Sequence, residues 1–209
     1  ASPLSSIRYA GSPWELGLSE AHQALRASNL RHKVRLQADG GLKTGLDVVK
    51  AAILGAESFG FGTGPMIAMG CKYLRICHLN NCATGVATQR RDIIDHHYVG
   101  EKERVINYFT FIANEVQEIL ARLGVPDLES IIGQTYYLKD ITDDNPSTEN
   151  IDLSPILYSD KESNSPHYCK TPSNDPWDKA NLNLKILQDI RSSIDEEYII
   201  VDITERLLI

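Results

Sequence analysis

The chain has 209 residues, of which 42% are hydrophobic and 23% are charged, and its formal net charge at pH 7 is −7. This size and composition are typical of a soluble protein with one domain or two small ones. The acidic balance argues against binding to nucleic acid, and the apolar runs are too short to span a membrane. No signal peptide opens the chain, so we expect a cytoplasmic location in which cysteines stay reduced.

Helices and strands are predicted to alternate over the first part of the chain. The run SPWE at residues 12–15 predicts a helix start, with Ser12 as the N-cap. A strand, a second helix and a second strand are expected to follow, over residues 33–38, 44–54 and 58–61. Short turns that contain glycine separate these elements, which is typical of an α/β fold with parallel strands.

The rest of the chain is predicted to contain two further helices and one strand. A loop through His96 and His97 precedes the most regular helix, over residues 101–123. A stretch rich in Asp, Asn, Ser and Pro, over residues 142–176, predicts a long polar connection. A final helix and a closing strand over residues 198–203 are expected after it.

Two loops that contain glycine follow the two predicted strands. Gly40 and Gly41 come after the first strand, and Gly62 and Thr63 come after the second. Glycine lets backbone N–H groups approach a phosphate closely, and loops after consecutive strands of a (β/α)8 barrel often form a phosphate site. Ordinary tight turns are the alternative, because such dipeptides also form them. The occurrence on consecutive strands favours the phosphate site.

Three of the four cysteines lie in one short segment, at Cys71, Cys77 and Cys82, whereas Cys169 is far along the chain. Thiolates this close in sequence can converge on one inorganic centre, and three of them match an iron–sulfur cluster with three irons. A zinc site that adds His78 stays open as an alternative, although no close pair of cysteines is present. Buried inert thiols are a further alternative. Disulfides are not expected, because nothing indicates secretion.

Several stretches of the sequence resemble the large subunit of glutamate synthase. They are residues 1–7, 12–17, 39–45 and 71–89, and the run CKYLRICHLNNC within the last of them is the most specific. The resemblance is close over residues 1–140 and corresponds to the last part of the FMN-binding synthase domain. It implies the last strands and helices of a (β/α)8 TIM-type barrel, in a form similar to the bacterial NADPH-dependent enzymes.

The resemblance also implies cofactors and their residues. The three positions that correspond to ligands of a 3Fe-4S cluster are Cys71, Cys77 and Cys82. The four positions that correspond to the FMN phosphate loops are Gly40, Gly41, Gly62 and Thr63. Cys169 corresponds to no ligand, and the main contacts to 2-oxoglutarate are expected upstream of this chain.

The reaction and the partners follow from the same resemblance. The whole enzyme is expected to form L-glutamate from 2-oxoglutarate and glutamine-derived ammonia, with electrons reaching FMN through the cluster. A small subunit that oxidises NADPH and the remainder of the large subunit are the expected partners, so this chain is expected to be inactive alone. No partnership with nucleic acid or a membrane is expected. A stand-alone iron- or zinc-binding module without catalysis is the alternative.

The resemblance predicts four parts within the chain. Residues 1–65 are expected to end the FMN-binding barrel, and residues 66–100 to form the iron–sulfur loop. Residues 101–141 are expected to be a helical segment, and residues 142–209 a polar linker with a helix and a strand that lead to a further domain. Because an initiator Met is missing, we expect the chain to be an excerpt or a processed product.

Overall fold

The computed structural model describes residues 4–141, 151–160, 163–171 and 180–194. The chain divides into two compact units, Ala1–Thr171 and Pro172–Ile209. The described part of the second unit is a helix, Ala180–Ile194. Within the described ranges, no helix is both long enough and apolar enough to cross a membrane.

The regular elements described in the first unit are mainly helices, together with a small parallel sheet. The described helices are α1 (Leu4–Tyr9), α2 (Trp14–Ala27), α3 (Gly45–Ile53), α4 (Thr63–Ala68), α5 (Arg91–His97), α6 (Lys102–Leu123) and α7 (Ser154–Leu157). The described strands are β1 (Gln37–Asp39) and β2 (Ser58–Gly60). This combination is compatible with part of an α/β fold, as the sequence predicted.

The two strands are parallel neighbours, and α3 connects them along the chain. Gln37 lies opposite Ser58, and Asp39 lies opposite Gly60. The expectation of parallel strands is therefore confirmed. Parallel strands end at the same edge of a sheet, so the chain leaves β1 and β2 on one side. This placement brings together two loops that are distant in sequence.

The first strand is shorter than the sequence predicted. Residues 31–33 form a 3-10 turn, and the strand is confined to Gln37–Asp39 instead of residues 33–38. The backbone groups of Val34 are used locally, because its N–H donates to the carbonyl of Arg31 at 3.4 Å and its carbonyl accepts from the Arg31 guanidinium at 2.6 Å. The N–H and the carbonyl of Val34 therefore bond to Arg31 and not to a neighbouring strand.

α3 lies between two hydrophobic clusters and supplies residues to both. Thr44 caps the helix, because its hydroxyl accepts from the N–H of Asp47 at 3.2 Å while the Asp47 carboxylate accepts from the N–H of Thr44 at 3.0 Å. The first cluster consists of Leu18, Ala38, Leu42, Ala51, Leu54 and Ala56. The second consists of Val49, Ala52, Ile53, Ile119, Leu120 and Ile131. Both hydrophobic clusters of the core therefore pack against helix α3.

α3 and α6 approach each other closely at Gly45. A Cβ at this position would lie 2.8 Å from the backbone N of Val116 and 2.9 Å from the carbonyl of Ile112. The N–H of Gly45 donates to the Glu115 carboxylate at 2.6 Å. Glycine is needed here for room, because its neighbours are backbone atoms that cannot turn aside.

Arg31 is buried completely, with 0% of its surface exposed. Its guanidinium forms an ion pair with Glu57 and donates to the Gly55 carbonyl at 2.9 Å. Its Nε donates to Nδ1 of His22 at 3.2 Å. A buried charge is costly unless it is paired and hydrogen-bonded, and these partners meet that requirement.

The described parts of residues 151–171 pack against this core. Arg26 donates to the carbonyls of Asp160, Ser163 and Ser165 at 3.1–3.4 Å. The Ser19 hydroxyl donates to the carbonyl of Ile156 at 2.7 Å. The predicted polar connection stays a prediction, and its described residues are held against α2 by these bonds from α2 side chains to their backbone.

Several local expectations are also corrected. Ser12 is not the N-cap of α2, because Pro13 occupies that position without a side-chain hydrogen bond. His96 and His97 lie at the end of helix α5 and not in a loop. The predicted long helix is confirmed as α6, whereas α1 and α4 were not predicted. The predicted closing strand at residues 198–203 lies outside the described residues.

We expect Gly45→Ala to lower the free energy of unfolding by about 1–3 kcal/mol, because the added methyl must push α3 away from α6. The matched control is Gly17→Ala in α2, where a Cβ would have no neighbour within 4 Å. That change should raise stability by up to about 1 kcal/mol, since alanine favours a helix over glycine. Urea denaturation of both variants tests the contact, and equal effects would contradict it.

We also expect acid to destabilise the fold through His22 and His167. Burial first, and then the positive charge of Arg31, lowers the pKa of His22 to about 3. Burial, with Arg26 and Arg31, lowers the pKa of His167 to about 4. Below about pH 6.5 the unfolded chain binds protons that the folded chain refuses, so stability should fall as the pH drops from there.

The size of this effect can be isolated with one variant. His22 contributes a slope of up to about 1.4 kcal/mol per pH unit between its unfolded and folded pKa values. His22→Asn retains an acceptor for Arg31 but does not titrate. We measure the free energy of unfolding by urea denaturation between pH 7 and pH 4. Its dependence on pH should be weaker in this variant, by up to about 1.4 kcal/mol per pH unit. An unchanged profile would show that His22 does not carry the effect.

Candidate cofactor site

The two predicted phosphate loops lie together at one edge of the sheet. Asp39 and Gly60 are paired at the ends of β1 and β2, so the residues that follow them emerge side by side. Gly40, Gly41 and Gly62 are exposed, and Thr63 is half-buried at the start of α4. The structure therefore places these four residues at the same edge of the sheet, and their role as a phosphate site stays a prediction.

Gly41 and Gly62 differ in whether the structure requires a glycine at their positions. Gly41 has a left-handed backbone with φ of +86°, which favours glycine. At Gly62 φ is −107°, and a Cβ there would have no described neighbour within 4 Å. Neither conformation nor packing within the chain therefore requires glycine at position 62.

Asp39 and Tyr108 adjoin the loops, although the sequence did not indicate them. A Cβ on Gly60 would lie 2.7 Å from Oδ2 of Asp39, so glycine leaves room for this carboxylate across the strand pair. Tyr108 donates from its hydroxyl to the carbonyl of Lys43 at 2.8 Å and lies against Gly64. In the sequence, the only signal for Asp39 is Gly60, the glycine that pairs with it across the two strands. Tyr108 lies on α6, which is too distant in sequence for its position beside the loops to be predicted.

The segment with three cysteines follows α4 directly. Cys71 is half-buried, and its sulfur accepts from the N–H of Tyr73 at 3.3 Å. Cys77 is half-buried at the start of a 3-10 turn, Cys77–Leu79. Cys82 is buried, with its sulfur 3.3 Å from the hydroxyl of Thr84. All three thiols are free in the structure, as is Cys169.

The backbone of this segment contains residues in the left-handed region. Tyr73, Arg75 and Asn80 have φ values of 60°, 57° and 49°. Such conformations cost free energy for residues other than glycine, and they tend to occur at functional sites. The Arg75 guanidinium lies 3.9 Å from the centroid of the Tyr73 ring and helps to hold this local arrangement.

Asn80 ties the stretch between Cys77 and Cys82 to a later part of the loop. Its carbonyl accepts from the hydroxyl of Thr88 at 2.9 Å. Its side-chain oxygen accepts from the same hydroxyl at 3.0 Å and from the N–H of Gln89 at 2.8 Å. Asparagine tolerates the left-handed conformation better than most residues, so one side chain serves both the turn and the crosslink.

The cysteine thiols differ in their electrostatic surroundings. Burial, and then the nearby Cys82, raise the pKa of the Cys71 thiol. Burial also raises the pKa of Cys82, but hydrogen bonds from the Thr84 side chain and from backbone N–H groups outweigh it and bring the pKa to about 7. These backbone groups belong to Ala87, Thr84 and Val86. Cys82 therefore forms a thiolate, the species that binds metals, more readily than an ordinary cysteine.

The predicted metal ligands are not gathered into a formed triad. Across the described residues, no three side chains of His, Cys, Asp or Glu are grouped to hold one metal ion. His78, the fourth residue of the zinc alternative, is exposed. Cys169 lies elsewhere, where its N–H donates to the Glu57 carboxylate at 3.0 Å. The assignment of the three cysteines as ligands stays a prediction.

Comparison with known proteins identifies the family. Residues 1–126 match the family model described as the conserved region in glutamate synthase. The chain belongs to the glutamate synthase family.

Similar proteins of this family carry two kinds of name. The chain is 45% identical to the large chain of glutamate synthase [NADPH] from Azospirillum brasilense, over 94% of this chain and 13% of that protein. It is 55% identical to the ferredoxin-dependent glutamate synthase of Pyropia yezoensis, over 75% of this chain and 10% of that protein. It is 50% identical to ferredoxin-dependent glutamate synthase 1, chloroplastic/mitochondrial, of Arabidopsis thaliana, over 76% of this chain and 10% of that protein. The chain therefore spans about a tenth of the length of these relatives.

Proposed function

We propose that this chain is part of a glutamate synthase that forms L-glutamate from 2-oxoglutarate and glutamine-derived ammonia with FMN and a 3Fe-4S cluster. The observation that carries the proposal is that Gly40–Gly41 and Gly62–Thr63 follow two parallel strands at the same sheet edge, before the cysteine segment, in a chain of this family. The names of the relatives support the overall reaction.

We assign the phosphate of FMN to the two glycine loops. Gly40, Gly41, Gly62 and Thr63 would hold it through their backbone N–H groups. The open space at Gly62 supports this assignment, because a side chain there would occupy the approach to those groups. FMN supplies the redox chemistry when it is bound, and the chain supplies its position. β1 and β2 would then be the last two strands of a (β/α)8 barrel.

We assign Cys71, Cys77 and Cys82 as the ligands of the 3Fe-4S cluster, which supplies one-electron transfer when it is bound. The hydrogen bond from the N–H of Tyr73 to the Cys71 sulfur and the 3.3 Å contact between the Cys82 sulfur and the Thr84 hydroxyl support this assignment, because hydrogen bonds to sulfur stabilise thiolate ligands. Helix α4 separates the glycine edge from Cys71 by six helical residues, or about 9 Å of helix. Both assigned cofactors therefore belong to neighbouring parts of one continuous segment.

The partners and the electron donor are the least direct part of the proposal. We propose the NADPH-dependent type, with a small subunit that oxidises NADPH, located in the cytoplasm. The extent of the matches supports the NADPH-dependent type. The NADPH enzyme of Azospirillum brasilense matches 94% of this chain, whereas the ferredoxin-dependent enzyme of Pyropia yezoensis matches 75%. The remainder of the large subunit is needed because two strands alone leave open sheet edges, so the chain by itself is proposed to be inactive.

Iron analysis tests the assigned ligands. Cys71→Ser, Cys77→Ser and Cys82→Ser should each lower the iron and acid-labile sulfide of an anaerobically purified full-length synthase that carries this chain. Cys169→Ser is the matched control and should retain both, because its thiol donates to the Thr171 carbonyl at 3.5 Å and its backbone N–H bonds to Glu57, away from the other three cysteines. Loss of iron in the Cys169 variant would contradict the assignment. Iron without sulfide in the unsubstituted protein would favour a simple metal-binding module.

Substitution of Gly62 tests the FMN assignment. Gly62→Val should weaken FMN binding by at least about tenfold, because a lost hydrogen bond to a charged group is worth roughly 1.5–3 kcal/mol. The fold should tolerate valine, since a Cβ at position 62 would have no described neighbour within 4 Å. The measurement is FMN affinity and iron content of the same full-length variant. Unchanged FMN affinity would show that these loops are only turns.

A further inference from the structure

The Cys82 sulfur has the most enclosed surroundings of the three assigned ligands. Cys82 and Thr84 are 7% and 9% exposed, and the hydroxyl of Thr84 lies 3.3 Å from the sulfur. In contrast, Cys71 and Cys77 are only half-buried. Polar contacts to the Cys82 sulfur are therefore shielded from water, where hydrogen bonds act most strongly.

Metal ligation decides the direction of the contact between Thr84 and Cys82. In the free thiol either atom can donate the proton. A cysteine bound to iron is a thiolate and has no proton to give, so the hydroxyl of Thr84 must then be the donor. The hydroxyl rotates freely enough to make this change without moving the backbone.

We propose that Thr84 raises the reduction potential of the iron–sulfur cluster by donating this hydrogen bond to the Cys82 sulfur. The inference rests on the proposed cluster. When the cluster gains one electron, negative charge on its thiolate sulfurs increases, so a donor stabilises the reduced form more than the oxidised form. Thr84 is thus a positioning residue that acts through Cys82, without touching iron or substrate.

The contact between Thr84 and the Cys82 sulfur comes from a side chain, so a substitution can remove it. The hydroxyl can be removed by itself, because valine has nearly the same shape as threonine. This makes the contribution of one hydrogen bond measurable while the loop stays closed around the sulfur.

The test is a redox titration of the full-length synthase, followed by electron paramagnetic resonance, with iron and acid-labile sulfide measured in parallel. Thr84→Val should retain the cluster and lower the ratio of reduced to oxidised cluster at a fixed potential about three- to tenfold, or roughly 30–60 mV for one electron. Thr84→Ser retains the hydroxyl and should titrate like the unsubstituted protein. Thr110→Val, which removes a hydroxyl bonded to Ile106 on exposed helix surface, should change nothing.

Each other outcome has a definite meaning. An unchanged potential in Thr84→Val, or an equal shift in Thr84→Ser, would overturn the proposal. Loss of iron from Thr84→Val while Thr84→Ser retains it would also overturn it, because the hydroxyl would then be needed to keep the cluster and not to set its potential. An unsubstituted protein without iron and sulfide would instead refute the proposed function, before any variant is compared.

Discussion

The buried ion pair between Arg31 and Glu57 is the interaction on which the rest of the structure depends. Arg31 precedes β1 in sequence, and Glu57 comes directly before β2. Their pairing, together with the bonds from the N–H groups of Glu57 and Ser58 to the carbonyl of Leu36, fixes how the two strands enter the sheet. Register propagates along a strand, so Asp39 must then lie opposite Gly60. Without this register the two glycine loops would not leave the sheet side by side.

Packing around α3 turns this small sheet into a rigid support. Gly45 lets α3 and α6 touch backbone to backbone, and the two hydrophobic clusters lie on either side of α3. Arg26 and Ser19 bind the backbone of the segment after residue 151, which covers α2 with polar contacts. The candidate site is thus made of loops at the ends of well-packed elements, an arrangement that many proteins use to hold ligands in place.

The cysteine segment obeys a different principle, because its shape comes from polar contacts and a strained backbone with little hydrophobic packing. Asn80, through Thr88 and Gln89, closes the stretch between Cys77 and Cys82. The N–H of Tyr73 donates to the Cys71 sulfur and the Thr84 hydroxyl lies 3.3 Å from the Cys82 sulfur, although the described residues hold no formed metal triad. Metal binding commonly completes the gathering of ligands, since binding and folding of such sites are coupled.

The sequence by itself determined the helices α3 and α6, the parallel α/β order and the family, because these depend on local periodicity, turn residues and a specific cysteine run. Tertiary structure alone decided the length of β1, where Arg31 takes the carbonyl of Val34, and the packing of residues after 151 on α2. It also decided which donors surround Cys82 and that Gly62 faces open space. Local patterns record how a segment prefers to fold, whereas these features depend on groups that meet only when distant segments pack together.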